Sequence, residues 1–235
     1  MGEPVLEAKG LVKTYGRGKN AVGVLHGLDL RVGPGELLAI LGPSGSGKST
    51  LLNLLGLMDE PSSGDVLFSG RSTRRMSEAE KAGLRNAALG FVFQFDSLLP
   101  EFSILENVTM PARIALGRTG EPLQAAEARA LELLGGFGLK HVRDRFPAQI
   151  SGGERQRAAL CRSLINRPSV LLADEPTGNL DKRNGELVFE DLKALSEAHG
   201  VAVVLVTHNE SAGRYASRVL HMSDGALKES PEETP

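Results

Sequence analysis

The chain has 235 residues, 27 of them basic and 29 acidic, for a formal charge of −2. Hydrophobic residues make up 41% and charged residues 24%, ordinary values for a globular protein, so a chain disordered throughout is excluded. The near-neutral balance and an aromatic content of 4% leave neither a broad basic face nor stacking platforms, so no nucleic-acid partner is expected.

The first stretch reads as strands and turns. Leu28, Leu30 and Val32 alternate with Asp29 and Arg31, the period of a half-buried strand, which Gly33-Pro34-Gly35 ends. Leu37-Leu38-Ala39-Ile40-Leu41 is a continuous apolar run, suited to a strand covered on both faces. A glycine-rich turn and a helix over 48–57 follow. Val66-Leu67-Phe68 and Phe91-Val92-Phe93 read as short strands. From about residue 96 to 167 the pattern turns helical. Leu123, Glu127, Ala130, Leu131 and Leu134 share one helix face, with Pro122 near the start and Gly135-Gly136 as a stop. Val170-Leu171-Leu172-Ala173 and Ala202-Val203-Val204-Leu205-Val206 are again buried strands, with a helix over 186–198 between them. Residues 218–228 form a hairpin turning at Ser223-Asp224-Gly225. The acidic, Pro-containing residues 229–235 read as a disordered tail.

The single cysteine, Cys161, excludes an internal disulfide and a Cys-based zinc site, and in its apolar setting reads as a small buried hydrophobe. No apolar run approaches the ~20 residues of a bilayer span. The N-terminal Met1-Gly2-Glu3-Pro4-Val5 lacks the regions of a signal peptide, and Leu6 stands where a myristoylation signal has Ser or Thr. The expectation is a cytoplasmic chain, free to dock on a membrane protein.

Apolar strands alternating with helices imply an α/β architecture: a parallel sheet covered on both faces, with the helix-rich middle inserted. Ligands of such sheets bind outside the carboxyl ends of the strands. There the sequence carries Gly42-Pro43-Ser44-Gly45-Ser46-Gly47-Lys48-Ser49, the spacing G-x-x-x-x-G-K-[ST] between a strand and a helix. Glycines let backbone N–H groups converge on phosphate, and the helix terminus adds positive charge. Lys48 is placed for the β- and γ-phosphates, and Ser49 for Mg²⁺. The strand over 170–173 runs into Asp174-Glu175. Asp174 is placed to reach the phosphate-bound Mg²⁺, and Glu175 to orient or deprotonate the attacking water.

Ser151-Gly152-Gly153-Glu154-Arg155-Gln156-Arg157 has capping-box spacing ahead of a helix. A capped helix explains Ser151 and Glu154 but not the Gly pair, which costs helix stability. The alternative is a second anion-binding helix terminus.

Together these motifs resemble the nucleotide-binding subunit of an ABC transporter over nearly the whole chain, with 151–156 in the place of the ABC signature. The resemblance implies an α/β P-loop NTPase fold: a RecA-like core with a parallel sheet, an antiparallel β subdomain and an inserted helical subdomain. Residues 1–95 and 168–228 would form the nucleotide-binding core, and 96–167 the helical insertion. It implies that Tyr15 stacks on adenine, that Gly42, Pro43, Ser44, Gly45, Ser46, Gly47, Lys48, Ser49 and Thr50 hold ATP, and that Ser49, Gln94 and Asp174 serve Mg²⁺. Glu175, His208, Lys48 and Gln94 would be the catalytic set. By the same resemblance Gln94 would also hinge the helical subdomain, Asp181 would lie in the D-loop of Gly178-Asn179-Leu180-Asp181, and His208 would contact the γ-phosphate. It further implies an ATP-bound homodimer in which Ser151, Gly152, Gly153 and Glu154 of one copy face the P-loop of the other. Integral membrane permease subunits would be the partners, with the chain peripheral on the cytoplasmic face of the inner membrane.

A closer resemblance lies between the core motifs. Lys81-Ala82-Gly83-Leu84-Arg85-Asn86, Leu89 to Phe95 and Leu98 to Pro111 look like the ATPases that release lipoproteins from the bacterial inner membrane. Macrolide-export and cell-division relatives share much of the pattern and stay open as alternatives. Phe95-Asp96-Ser97 departs from a His-rich segment in those ATPases, and Ile150 stands where Leu commonly precedes the signature. Leu98, Leu99, Phe102, Ile104 and Leu105 are expected either to pack in the helical subdomain or to form a groove for a helix of the membrane subunit.

Overall fold

The computed structural model describes residues 3–94 and 97–229. Two sheets and six α-helices are present among them. An antiparallel sheet has the order β2-β1-β4-β5, from β1 (Leu6–Tyr15), β2 (Val22–Val32), β4 (Ser63–Phe68) and β5 (Arg71–Ser72). A six-stranded sheet has the order β10-β9-β3-β8-β7-β6, from β3 (Leu37–Leu41), β6 (Leu89–Val92), β7 (Val170–Asp174), β8 (Ala202–Thr207), β9 (Arg218–Ser223) and β10 (Ala226–Glu229). Its strands are parallel except β10, which closes an antiparallel hairpin on β9.

The apolar runs are continuous because both faces of this sheet are covered. Leu38, Ile40, Leu172, Val204 and Val206 face the antiparallel sheet and α1 (Lys48–Leu55). Leu37, Ala39, Leu41, Leu171, Ala173, Val203 and Leu205 face α5 (Gly152–Leu164) and α6 (Lys182–His199). A third cluster lies among α3 (Ile104–Thr119), α4 (Leu123–Gly136) and α5, built on Ile104, Val108, Ala130, Leu134 and Cys161. Cys161 is fully buried there, and burial pushes its thiol well above the ordinary value. Among the described residues, no helix is long and apolar enough to cross a membrane.

Several element bounds differ from expectation. β2 begins at Val22, six residues before the alternating stretch, because Gly27 at φ 81 and bulged pairing with β1 disguise the period. α1 ends at Leu55: Gly56 caps it, and Leu57 turns left-handed at φ 56. α4 carries Gly135 and Gly136 inside its last turn, and Gly138 at φ 69 makes the turn instead. α6 starts at Lys182, where the Asp181 side chain accepts the Asn184 N–H at 2.9 Å. α2 (Glu78–Ala88) has no counterpart in the sequence reading, although its capping box, Ser77 with Glu80, was a legible start signal. Glu229 pairs with Leu220 in β10 rather than opening a tail, and 230–235 lie outside the described residues, as do Phe95 and Asp96. Of the apolar residues past Gln94, Leu98 and Ile104 are buried in the helical layer, whereas Leu99 is 40% exposed.

One half-buried acid on α6 is not fully compensated. Burial pushes Asp191 up to about 6 from 3.8, Arg157 opposes the shift, and Glu190 adds to it. A carboxyl whose folded value exceeds its unfolded one stabilises the fold while protonated. That contribution is complete below pH 3.8 and is lost as pH rises to about 6. Asp191→Asn is therefore expected to raise stability at pH 8 by on the order of 1–2 kcal/mol and to leave it unchanged at pH 3.5, read by urea unfolding at both pH values.

Candidate active site

β3, β7 and β8 end at one level. Leu41 pairs with Thr207, and Asp174 with Val206. Their carboxyl ends and the start of α1 enclose a cavity of about 360 Å³, lined by Val24, Ser44, Gly45, Gly47, Lys48, Ser49, Thr50, Gln94, Asp174, Glu175 and His208.

The loop after β3 is shaped by its glycines. Gly45 and Gly47 have φ 82 and 106, which a side chain would strain. A Cβ on Gly42 would lie 2.2 Å from the Met222 carbonyl of β9, so the β9–β10 hairpin lies directly against the loop. Gly225 N–H also donates to Ser46 O at 3.0 Å. Gly42, Pro43 and Ser46 form the back of the loop rather than the cavity wall, and Ser46 is buried. Lys48 is 6% exposed, and its Nζ donates to Gly42 O at 2.7 Å and Pro43 O at 2.9 Å. The ammonium is thereby held inside the loop, at the N-terminus of α1, where an anion is favoured.

Asp174 ends β7 beside this helix start. Burial pushes its carboxyl up, the Ser49 hydroxyl bonded to it pulls it down, Glu175 raises it and Lys48 lowers it. Ser49 and Asp174 thus form a pair of hard oxygen donors, with Gln94 on the same cavity wall. Such a set suits Mg²⁺, which takes one or two carboxylates together with substrate phosphates.

Glu175 leaves β7 with φ 46, after its N–H donates to Val206 O at 2.9 Å. That turn aims the side chain at the end of β8. Oε2 accepts from Thr207 Oγ1 at 2.7 Å, while Oε1 accepts from His208 N–H at 3.0 Å and lies 2.8 Å from His208 Nδ1. Gln94 is fixed through its backbone: its carbonyl accepts from Asn179 Nδ2 at 3.0 Å. Its side-chain amide lies against Gly178, where a Cβ would come within 2.9 Å.

Three groups of nominated residues stand elsewhere. Tyr15 does not line the cavity. Its hydroxyl donates to Asp59 Oδ2 at 2.7 Å, a bond that, with burial, holds the phenol above its ordinary value. The Lys13 ammonium sits 4.7 Å from its ring centroid. Asp181 caps α6. Ser151 and Glu154 cap α5 reciprocally: Glu154 N–H donates to Ser151 Oγ at 3.3 Å, and Ser151 N–H to Glu154 Oε2 at 2.8 Å. The Ser151 hydroxyl, which donates to Glu154 Oε2 at 2.7 Å, and the Ser151 N–H hold the Glu154 carboxyl below its usual range. Packing explains one glycine of the pair. A Cβ on Gly153 would lie 2.8 Å from Asn184 Oδ1 of α6, so close helix packing needs it. Gly152 has no such clash: a Cβ there would make ordinary contacts, 3.7 Å from Arg155 Nη2 and 3.9 Å from Leu180 Cδ2. The sequence reading did not nominate Val24, Thr207, Asn184 or His141, whose Nε2 is 3.2 Å from Glu154 Oε1. Thr207 and Asn184 neighbour nominated motifs, whereas Val24 and His141 carry no motif signal.

Comparison with known proteins identifies the family. The family model described as ABC transporter matches residues 25–178. The chain is 48% identical over 228 residues to the lipoprotein-releasing system ATP-binding protein LolD 2 of Caulobacter vibrioides, covering 97% of this chain and 98% of that one. It is equally 48% identical over 225 residues to the LolD protein of Xanthomonas axonopodis pv. citri, covering 96% and 91%. Among solved structures, the dimeric ATP-binding cassette MJ0796, in a post-hydrolysis state bound to ADP and Pi, superposes with TM-score 0.86 at 36% identity, covering 95% of this chain and 98% of that one. A family match over more than half the chain, near-full-length identity to curated members and a shared fold establish that this chain belongs to the ABC transporter ATPases.

Proposed function

We propose that the chain is the ATP-hydrolysing subunit of a bacterial lipoprotein-releasing ABC system, acting as an ATP-bound homodimer on the cytoplasmic face of the inner membrane. The observation that carries the reading is one cavity in which Lys48, Ser49, Asp174, Glu175 and His208 converge, on a chain 48% identical to LolD proteins.

In this reading ATP lies along the loop after β3. Backbone N–H groups of 42–50 and the Lys48 ammonium hold the β- and γ-phosphates. Tyr15, a residue left 43% exposed, stacks on the base. Ser49, Asp174 and Gln94 would hold Mg²⁺, which when bound neutralises phosphate charge. Glu175 orients the attacking water and accepts its proton as the water oxygen bonds to the γ-phosphorus. The bond to the bridging oxygen breaks, and its electron pair leaves with ADP. His208 steadies Glu175 and reaches the γ-phosphate. The capped α5 terminus at Ser151, with no side chain at Gly152, offers N–H groups to the γ-phosphate of the second copy, and Asp181 lies beside it at the start of α6. Loss of that phosphate then removes the bridge between copies. Residues 96–167 move as the helical unit that carries this terminus, hinged at Gln94, on the core of 1–95 and 168–228. Exposed Leu99 meets the membrane subunit.

Glu175→Gln is expected to lower kcat at least a hundredfold and to accumulate an ATP-bound dimer, read by phosphate release and size exclusion; normal turnover would remove Glu175 from the mechanism. Lys48→Ala is expected to lose nucleotide binding itself, seen as a loss of calorimetric heat. Leu99→Asp is expected to leave basal ATPase activity unchanged and to abolish stimulation by the membrane subunit. Equal loss of basal hydrolysis would make Leu99 structural. Tagged Glu175→Gln protein with Mg·ATP on solubilised membranes is expected to capture a polytopic protein with a large periplasmic domain. Division-apparatus partners alone would move the function to regulation.

A further inference from the structure

Thr207 ends β8 and has no exposed surface. Its Oγ1 accepts the Asn209 N–H at 3.0 Å. A hydroxyl has one proton, and this one is directed to Glu175 Oε2, 2.7 Å away. The other carboxylate oxygen is held by His208 through its N–H and Nδ1, at 3.0 and 2.8 Å. A carboxylate offers roughly four lone-pair positions. Two consecutive residues at the end of β8 occupy three of them.

We infer that Thr207 is a positioning residue for ATP hydrolysis: its buried hydroxyl sets the rotation of the Glu175 carboxylate so that the remaining lone pair faces the attacking water. The inference rests on the role of Glu175 given above. The terminal torsion of a glutamate is broad, so bonds to one oxygen leave the carboxylate free to swivel. His208 holds Oε1 alone, and its side chain is 62% exposed. Thr207 supplies the second fixed point. It is anchored by the ladder, where it pairs with Leu41, the residue that enters the phosphate loop. The same strand register therefore sets both the phosphate cradle and the angle of the carboxylate.

The test is steady-state ATPase kinetics of the full chain with Mg·ATP for Thr207→Val, Thr207→Ser, Thr207→Ala and Glu175→Gln. Valine keeps the shape and removes the hydroxyl. It is expected to lower kcat about tenfold while KM for ATP stays within about twofold, the signature of a lost orientation rather than lost binding. Serine is expected to restore kcat to within about threefold of the parent. Should the valine variant not fold, the serine-to-alanine ratio reads the same hydroxyl. Parent-like kcat in the hydroxyl-free variants, or serine as impaired as alanine, would overturn the inference. A parallel loss of kcat and affinity would assign Thr207 a structural role instead. An inactive Glu175→Gln beside a fully active Thr207→Val would remove this inference alone. A fully active Glu175→Gln would remove both readings.

Discussion

The register of three parallel strands is the constraint on which the rest depends. β3, β8 and β7 hydrogen-bond side by side, with Leu41 opposite Thr207 and Val206 opposite Asp174. Lys48, the Asp174-Glu175 pair and His208 lie far apart in sequence, but each stands at or within seven residues of one of these strand ends. A slip of one residue in any pairing would exchange the two faces of that strand. It would move Leu172 or Val204 from one apolar layer to the other, and would carry the acids out of line with the phosphate loop. Burial of the sheet on both faces therefore holds the chemistry in alignment.

The second constraint is close approach of backbone. The β9–β10 hairpin lies against the phosphate loop at Gly42 and bonds it at Ser46. The first turn of α5 lies against α6 at Gly153. In both places a side chain has no room. The hairpin steadies the loop from outside the sheet, while the Gly153 contact ties the α5 terminus to Asn184, which also bonds Asp181. The starts of two helices are thereby joined.

Much of this was legible beforehand, for identifiable reasons. Strand β3 was readable to the residue because five successive apolar residues bounded by Gly35-Glu36 and Gly42 admit few alternatives. The phosphate loop was readable because its chemistry is local: glycines, lysine and serine act through their own backbone and spacing. β2 and α2 were harder. Gly27 and a bulge interrupt the alternation of the first, and the second shows no buried hydrophobic residue on its own helix, burying only Lys81. Its helical form is set by the capping box at one end and by packing on β6 at the other.

What the sequence by itself determined is therefore whatever acts over a few neighbouring residues: the strand–loop–helix that takes phosphate, the capped terminus of α5, the acids at the end of β7. Only the tertiary structure decided how these meet. It placed Thr207 on Glu175, left Tyr15 bonded to Asp59 outside the cavity wall, brought Val24 into that wall, and put Gly153 against Asn184. Each of those contacts joins segments remote in the chain through the pairing of strands and the stacking of layers. Spacing along a sequence carries no information about which remote backbone will arrive within 3 Å, because that is settled by the burial of the whole sheet.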